Sequence, residues 1–263
     1  MNLEDELFCL KYEQDALAVA LLTGKSERWV KGFISPGIEQ EHLDRYHLAC
    51  NYTKGKSVLD IACGCGYGSY LMAIKGEALS VDGVDIESEA IRYGNYRYEQ
   101  KNIKRYHANA LEYKPEKLYD VIVSFETVEH IVDFKSYIAN LSRWLQNDGT
   151  LIISTPIVIQ TTSSVANPFH VIEWSFFDFQ KLFSDQFNID EVYLQHVWIK
   201  NFTFNFKSRF KRIFRSVLSA FHLMLPPPEY IIKKGKPFEK FTGQYDMNNS
   251  FQGFQTLVLR KRL

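Results

Sequence analysis

The stretch Ser57-Val58-Leu59-Asp60-Ile61-Ala62-Cys63-Gly64-Cys65-Gly66-Tyr67-Gly68 constrains the fold of this chain more than any other part of it. An apolar run ends in three alternating glycines, and a helical pattern begins close behind them. The backbone must leave a strand, turn sharply and enter a crossover helix. Glycine supplies positive φ there and lets a ligand come nearer than a Cβ would permit. Nicotinamide, flavin and phosphate sites all use such loops, so the glycines alone do not choose between them. Asp60 does narrow the choice. A carboxylate four residues before Gly64 repels a pyrophosphate and suits an ammonium group or its ordered water. The loop reads as a site for a cationic ligand without phosphate. The plainer alternative is that Gly64 and Gly66 serve only a tight turn.

The middle of the chain alternates strand-like and helical patterns, which predicts a parallel sheet with crossover helices. Strands are predicted at Ser57–Ile61, Leu79–Asp85, Ile103–His107, Asp120–Ser124 and Thr150–Thr155, with a sixth at Ile189–Ile199 and a seventh at Gly253–Leu259. Helices are predicted at Ser69–Lys75, Ser88–Gln100, Phe134–Leu145 and Ser175–Phe183. Ser88 is the expected N-cap of its helix, and Asn147-Asp148-Gly149 the expected helix stop before the fifth strand. Helical character also covers Asp5–Leu22 and Glu39–Tyr52 ahead of the sheet.

These segments together resemble the class I S-adenosylmethionine-dependent methyltransferases over roughly residues 40–190. The loop at 57–68 is similar to their motif I. Val81-Asp82-Gly83-Val84-Asp85-Ile86 resembles the second strand with its terminal acid, and His107-Ala108-Asn109-Ala110-Leu111 the third element. Tyr119–Glu126 and Gly149–Pro156 continue as the fourth and fifth strands. The resemblance implies a Rossmann-like α/β fold: a seven-stranded sheet with the last strand antiparallel, helices on both faces, an N-terminal helical extension and a helical insertion before the last strand. In domain terms, residues 1–55 form a helical cap, 56–199 with 250–263 the core, and 200–249 the insertion.

The same resemblance implies an S-adenosylmethionine site built from Asp60, Ala62, Gly64, Gly66, Asp85, Ile86, Asn109, Ala110 and Phe125. The two oxygens of Asp85 match two ribose hydroxyls, and the amide of Asn109 meets the adenine edge. Taken singly, Asp85 is also an ordinary strand-end acid and Asn109 an ordinary turn residue. In Glu41-His42-Leu43-Asp44-Arg45-Tyr46, Arg45 and Tyr46 are implied to pack over the cofactor, with the Arg45 fork clamping the methionine carboxylate. Arg45 as a surface partner of Asp44 or Glu41 is the alternative.

Chemistry is expected just after the fourth and fifth strands, in Glu126-Thr127-Val128-Glu129-His130 and Asn167-Pro168-Phe169-His170-Val171-Ile172-Glu173-Trp174. Open α/β sheets bind ligands at this carboxyl edge. If 126–130 form a helical turn, Glu126, Glu129 and His130 share a face, and His170 completes an acidic and imidazole set able to hold Mg²⁺ or Mn²⁺. That pattern resembles the metal-dependent small-RNA 2′-O-methyltransferases, and ubiquinone-pathway O-methyltransferases carry a comparable motif. Metal-free relatives carry it too. Without metal, His130 or His170 is the expected base, and Glu126 belongs to the same catalytic group.

The chain has 263 residues with 31 Lys+Arg against 31 Asp+Glu, a zero balance that argues against general nucleic-acid binding. The cysteines Cys9, Cys50, Cys63 and Cys65 form no Cys-x-x-Cys pair and suit reduced thiols in the cytoplasm. The acidic Met1–Glu6 lacks a secretory n-region. From Ile199 to Pro228 there are six Lys/Arg and no acid, and phenylalanines recur at helical spacing. A basic amphipathic helix over 206–225 is expected, covering the core or a second protomer, holding an acidic substrate, or touching a membrane surface. The wording of motif I, the Glu-His-Leu-Asp-Arg-Tyr helix and the Asn-Pro-Phe-His loop also resemble methyltransferases of bacterial surface-glycan and secondary-metabolite pathways. The function expected is O-methylation of a saccharide, nucleotide-linked or phosphorylated small acceptor. An RNA 2′-O-methyltransferase, a non-catalytic cofactor-binding subunit and a nicotinamide oxidoreductase are the rivals.

Overall fold

A computed structural model describes residues 3–23, 30–33, 36–201, 231–234, 236–243 and 247–262. The expected basic helix over 206–225 lies outside the described residues.

The chain begins with α1 (Leu3–Thr23) and α2 (Pro36–Cys50) and then enters the sheet at β1 (Ser57–Ile61). Crossover units follow: α3 (Tyr67–Ile74), β2 (Ser80–Asp85), α4 (Ser88–Arg97), β3 (Ile103–His107), β4 (Tyr119–Ser124), α5 (Phe134–Trp144) and β5 (Leu145–Val158). Next come the short β6 (Trp174–Ser175), α6 (Phe176–Lys181) and β7 (Phe187–Gln195). The chain ends through β8 (Trp198–Asn201), β9 (Ile231–Lys234), β10 (Glu239–Lys240), β11 (Ser250–Phe251) and β12 (Phe254–Lys261).

The main sheet runs β10-β7-β12-β5-β4-β1-β2-β3, with β6 pairing β5 from the side. β1 to β5 are mutually parallel, and β12 runs antiparallel to both β5 and β7. This is the seven-stranded arrangement expected from sequence, extended at one edge by β10. Valine, leucine and isoleucine fill both sides of the central strands, as burial on two faces requires. On one face Leu151, Ile153, Leu257 and Leu259 pack with Tyr137, Leu141 and Trp144 of α5. On the other, Val58, Val123, Ile152 and Val258 pack with Tyr46 of α2 and Leu71 and Met72 of α3.

Beyond shifts of a few residues at element ends, three readings need correction. The sixth strand was expected to run through Ile199, but His196 takes a left-handed φ of 52° and turns the chain into a separate sheet, β11-β8-β9. Glu87, not Ser88, occupies the N-cap position of α4, without a side-chain cap. α5 ends at Trp144, before Asn147-Asp148-Gly149. The turn there, with Asp148 at φ 59°, is a kink within β5 and not a helix stop.

α2 and α3 come so close that the Tyr46 ring occupies the volume a Cβ on Gly68 would fill. Tyr46 cannot retreat, because its hydroxyl is bonded to Asp60 at 3.1 Å and its ring meets Phe125 edge-on at 5.0 Å. Gly68→Ala is therefore expected to destabilise the chain by about 2–3 kcal/mol through overpacking, read from the urea midpoint. An unchanged midpoint would show that α2 can shift without cost.

Candidate active site

The site is assembled at the carboxyl edge of β1, β2, β4 and β5. At the exit of β1, Ala62 takes φ 62° and Gly64 φ 54°. Left-handed backbone at a non-glycine such as Ala62 is a strained feature typical of functional loops. Space beside Gly64 is open, with no atom within 4 Å of where a Cβ would stand. Its N–H donates to Asp85 Oδ2 at 2.7 Å, and the Glu87 N–H donates to Asp85 Oδ1 at 3.0 Å. The half-buried Asp85 carboxylate is thus held at the end of β2 beside the loop, next to the exposed Ile86.

Gly66 answers a different need. The Arg105 side chain fills the place of its Cβ and also packs against Gly94 of α4. Arg105 donates to the carbonyls of Tyr98 at 3.0 Å and Gly66 at 3.3 Å, propping the loop from beneath. Sequence reading missed Arg105, although a glycine inside α4 was the available signal of a close approach. On the outer side, α1 closes over the loop, with Cys65 Sγ donating to Tyr12 Oη at 3.5 Å. All four cysteines are free thiols.

Asp60 is 1% exposed and does not face the open loop. It accepts hydrogen bonds from Ser69 Oγ at 2.6 Å and Tyr46 Oη at 3.1 Å. Burial pushes its carboxyl up to about 6, against those two bonds and the Arg105 charge, all of which favour the ionised form. Asn109 also turns inward on its own backbone, its Oδ1 accepting from the Leu111 N–H at 2.8 Å in an Asx turn beside the half-buried Ala110. Phe125, at the end of β4, is buried against Tyr46.

Arg45 is buried between α2 and the sheet. It is 1% exposed, donates from Nη1 to Gln195 Oε1 at 2.6 Å and from Nη2 to His42 Nδ1 at 3.3 Å, and lies over the Phe254 ring at 4.9 Å. Those partners belong to α2, β7 and β12. β12 is three strand spacings, roughly 14 Å, from β1. The expectation was a clamp on a methionine carboxylate; here both Nη atoms are engaged by Gln195 and His42. Neither Asp44 nor Glu41 pairs with it. Among the described residues Arg45 has no ion-pair partner, and its Nε is buried without a hydrogen bond. Gln195, which sequence reading overlooked, also donates from Nε2 to the Glu41 carbonyl at 3.2 Å, fastening α2 to β7.

Beyond β4 the expected helical turn is only a 3-10 turn, Val128–His130. Glu126 precedes it in the left-handed region, at φ 48°, and so leaves the shared face. Its Oε1 accepts from Ser154 Oγ at 2.5 Å instead. Glu129, His130 and His170 do converge, with ligand atoms within 4.8 Å of one another. Glu129 is wholly buried. One oxygen accepts from Thr155 Oγ1 at 3.3 Å and Oε1 has no partner. Burial first, and the Glu126 charge second, push its carboxyl well above the usual range.

The two imidazoles meet edge-on, 4.9 Å apart. His130 Nδ1 lies 2.9 Å from the Phe169 carbonyl, so Nδ1 carries the proton and Nε2 the lone pair in the neutral ring. His170 is held at both ends: Nδ1 donates to Glu173 Oε1 at 2.7 Å, and Nε2 faces Asn167 Nδ2 at 3.0 Å. The Asn167 amide is pinned in that sense because its Oδ1 accepts from the Phe169 N–H at 3.1 Å.

Arginine only donates, so His42 Nδ1 must accept and the ring is neutral. Burial, then the Arg45 charge, push His42 from 6.5 down to about 3. A depressed pKa means the stability linked to neutral His42 is complete above about pH 6.5 and is lost as pH falls toward 3. Between pH 7 and pH 5 that loss is expected to be about 1–2 kcal/mol. His42→Gln is expected to lack this part of the acid sensitivity in urea titrations at the two pH values. An equal acid loss in both proteins would remove His42 from the account.

A family described as "Methyltransferase domain" matches residues 52–215. A probable S-adenosylmethionine-dependent methyltransferase of Mycolicibacterium smegmatis is 30% identical over 52% of this chain and 56% of its own length. A ubiquinone biosynthesis O-methyltransferase of Rickettsia akari is 28% identical over 41% of this chain and 44% of its own. The chain thus spans about half the length of the curated relatives it matches. Among solved structures, the N-methyltransferase NodS of Bradyrhizobium japonicum WM9, in complex with S-adenosyl-L-homocysteine, covers 95% of this chain and 99% of its own. The TM-score is 0.57 and the identity 13%, a likeness of fold.

Proposed function

Because this chain belongs to the methyltransferase domain family, we propose that it is an S-adenosylmethionine-dependent O-methyltransferase whose acceptor is small and anionic. A phosphorylated or nucleotide-linked saccharide of surface-glycan biosynthesis, methylated in the cytoplasm, is the acceptor class this reading favours. No described helix is long and apolar enough to cross a membrane. Relatives named as O-methyltransferases support transfer to oxygen.

The observation that carries the acceptor class is Arg45. Its hydrogen-bond partners, Gln195 and His42, are neutral, and an incoming phosphate or carboxylate would add charge-assisted bonds that they do not supply. Arg45 stands over Phe254 of β12 and is bonded to Gln195 of β7.

The open space at Gly64 and the poised Asp85 carboxylate fit the cofactor, with Asp85 taking the ribose hydroxyls. When bound, S-adenosylmethionine supplies a methyl group already activated by its sulfonium. The chain's own task is to hold the acceptor oxygen in line and to take its proton. His130 Nε2 is the base in this reading, its tautomer fixed by the Phe169 carbonyl. His170, braced by Glu173 and Asn167, packs against the His130 ring and orients it. Tyr46 and Phe125 exclude water from the cofactor side.

A second reading is favoured by the orphaned Glu129 Oε1: Glu129, His130 and His170 would hold a divalent cation that lowers the acceptor hydroxyl pKa. With Glu126 turned to Ser154, two imidazoles and one carboxylate suit Mn²⁺ better than Mg²⁺. The readings exclude one another at a single atom, because His130 Nε2 cannot both ligate and take a proton.

Arg45→Lys keeps the charge and loses the fork. It is expected to raise the acceptor KM about 10- to 100-fold and leave S-adenosylhomocysteine affinity unchanged. A rise confined to the cofactor KM would return Arg45 to the methionine carboxylate. His130→Gln is expected to lower kcat about 10²- to 10⁴-fold, and wild-type activity is expected to survive chelation. Activity abolished by chelator and restored by Mn²⁺ would transfer His130 to the metal.

A further inference from the structure

α1 is two-faced. Its inner face carries buried Cys9 and Glu13, with Phe8, Tyr12 and Ala16 packed beside them against Tyr93 and Cys65. Ion pairs fix this face to α4: Arg97 Nε to Glu13 at 2.9 Å, Arg97 Nη1 to Glu6 at 3.1 Å and Arg92 Nη2 to Asp5 at 2.9 Å. The helix is therefore held rigidly, with its other face outward.

That outer face bears Leu3, Leu7, Leu10, Leu17 and Leu21, all exposed, up to 76% at Leu21. With the exposed Gln14 they fall at intervals of four, three, four, three and four, which are the d and a positions of three heptads. A helix lying on its own core needs an apolar face of period 3.6, and α1 already has one on the inner side. A second seam of period 3.5 has a different use, because it matches the geometry by which one helix supercoils on another.

We propose that the leucine seam of α1 is the interface of a homodimer, covered by α1 of a second copy of this chain. The seam is self-complementary. In a parallel pairing Gln14 meets Gln14 of the partner subunit, so the polar position is matched by its own kind and fixes register. Glu6 at a g position, its carboxylate already bonded to Arg97, flanks the seam on the side where Lys11 of the partner subunit stands at e, an acid and a base facing across it. The five leucines offer roughly 500–600 Å² from each copy, about the lower bound for a stable interface. The seam lies on the side of α1 opposite Tyr12 and Cys65, so pairing stiffens the helix that covers the cofactor loop without obstructing the carboxyl edge.

Sedimentation equilibrium of the full chain tests this, with Leu7→Glu/Leu17→Glu as the variant and circular dichroism and S-adenosylhomocysteine binding as controls of its fold. Wild type is expected at twice the 30.7 kDa chain mass, and the variant at one chain mass with spectrum and binding preserved. Gln14→Leu is expected to strengthen association. Wild type at one chain mass at every concentration overturns the proposal. So does a dimer that the two glutamates leave intact, or a monomer whose thermal stability falls on substitution, which would mean that another segment of the same chain covers the seam.

Discussion

The buried carboxylate of Asp60 ties the site together. One oxygen holds Ser69 of α3 and the other holds Tyr46 of α2, so strand, crossover helix and overlying helix meet at one side chain. Its ionisation is opposed by burial and favoured by those bonds, leaving it poised near 6. Everything nearby follows from that fixed point. The Tyr46 ring fills the space beside Gly68, Phe125 packs on Tyr46, and the backbone beyond Asp60 turns through Ala62 and Gly64, both at left-handed φ. Removing a buried partner of such a group costs more than the bond itself, because the charge stays behind unpaired.

Electrostatics then divides the carboxyl edge into two territories. Around β1 and β2, the half-buried Asp85 carboxylate is held by the Gly64 and Glu87 amides beside the open space at Gly64. Around β12 and β7, Arg45 is buried and bonded to Gln195 and His42, and its charge favours the ionised forms of the nearby Glu41 and Glu129. The paired imidazoles lie beyond β4 and β5 beside Glu129, whose carboxyl also feels the Arg45 charge.

The parallel core was legible because strands buried on both faces read as largely apolar runs, as at Ser57–Ile61 and Asp120–Ser124. Backbone handedness was not legible. Glu126 and His196 adopt left-handed φ without being glycine, and each turn changed the outcome: one removed a carboxylate from the histidines, the other split the sixth strand. Long-range partners were hidden for a different reason. Which residue meets Arg45 depends on how α2 crosses the sheet, and Gln195 lies 150 positions away. Arg105 beneath Gly66 is a similar case, since the loop's glycine reads the same whether a ligand or an arginine occupies the space beside it.

Calorimetric titration with S-adenosylhomocysteine tests the central claim most directly, with Asp85→Ala titrated beside the wild type. Wild type is expected to bind at one site and to give no heat with NAD⁺, while Asp85→Ala is expected to bind at least about tenfold more weakly, a loss of about 1.4 kcal/mol or more. No binding by a folded wild type, or equal affinity in the variant, would contradict the placement of the cofactor between the glycine turn and the end of β2.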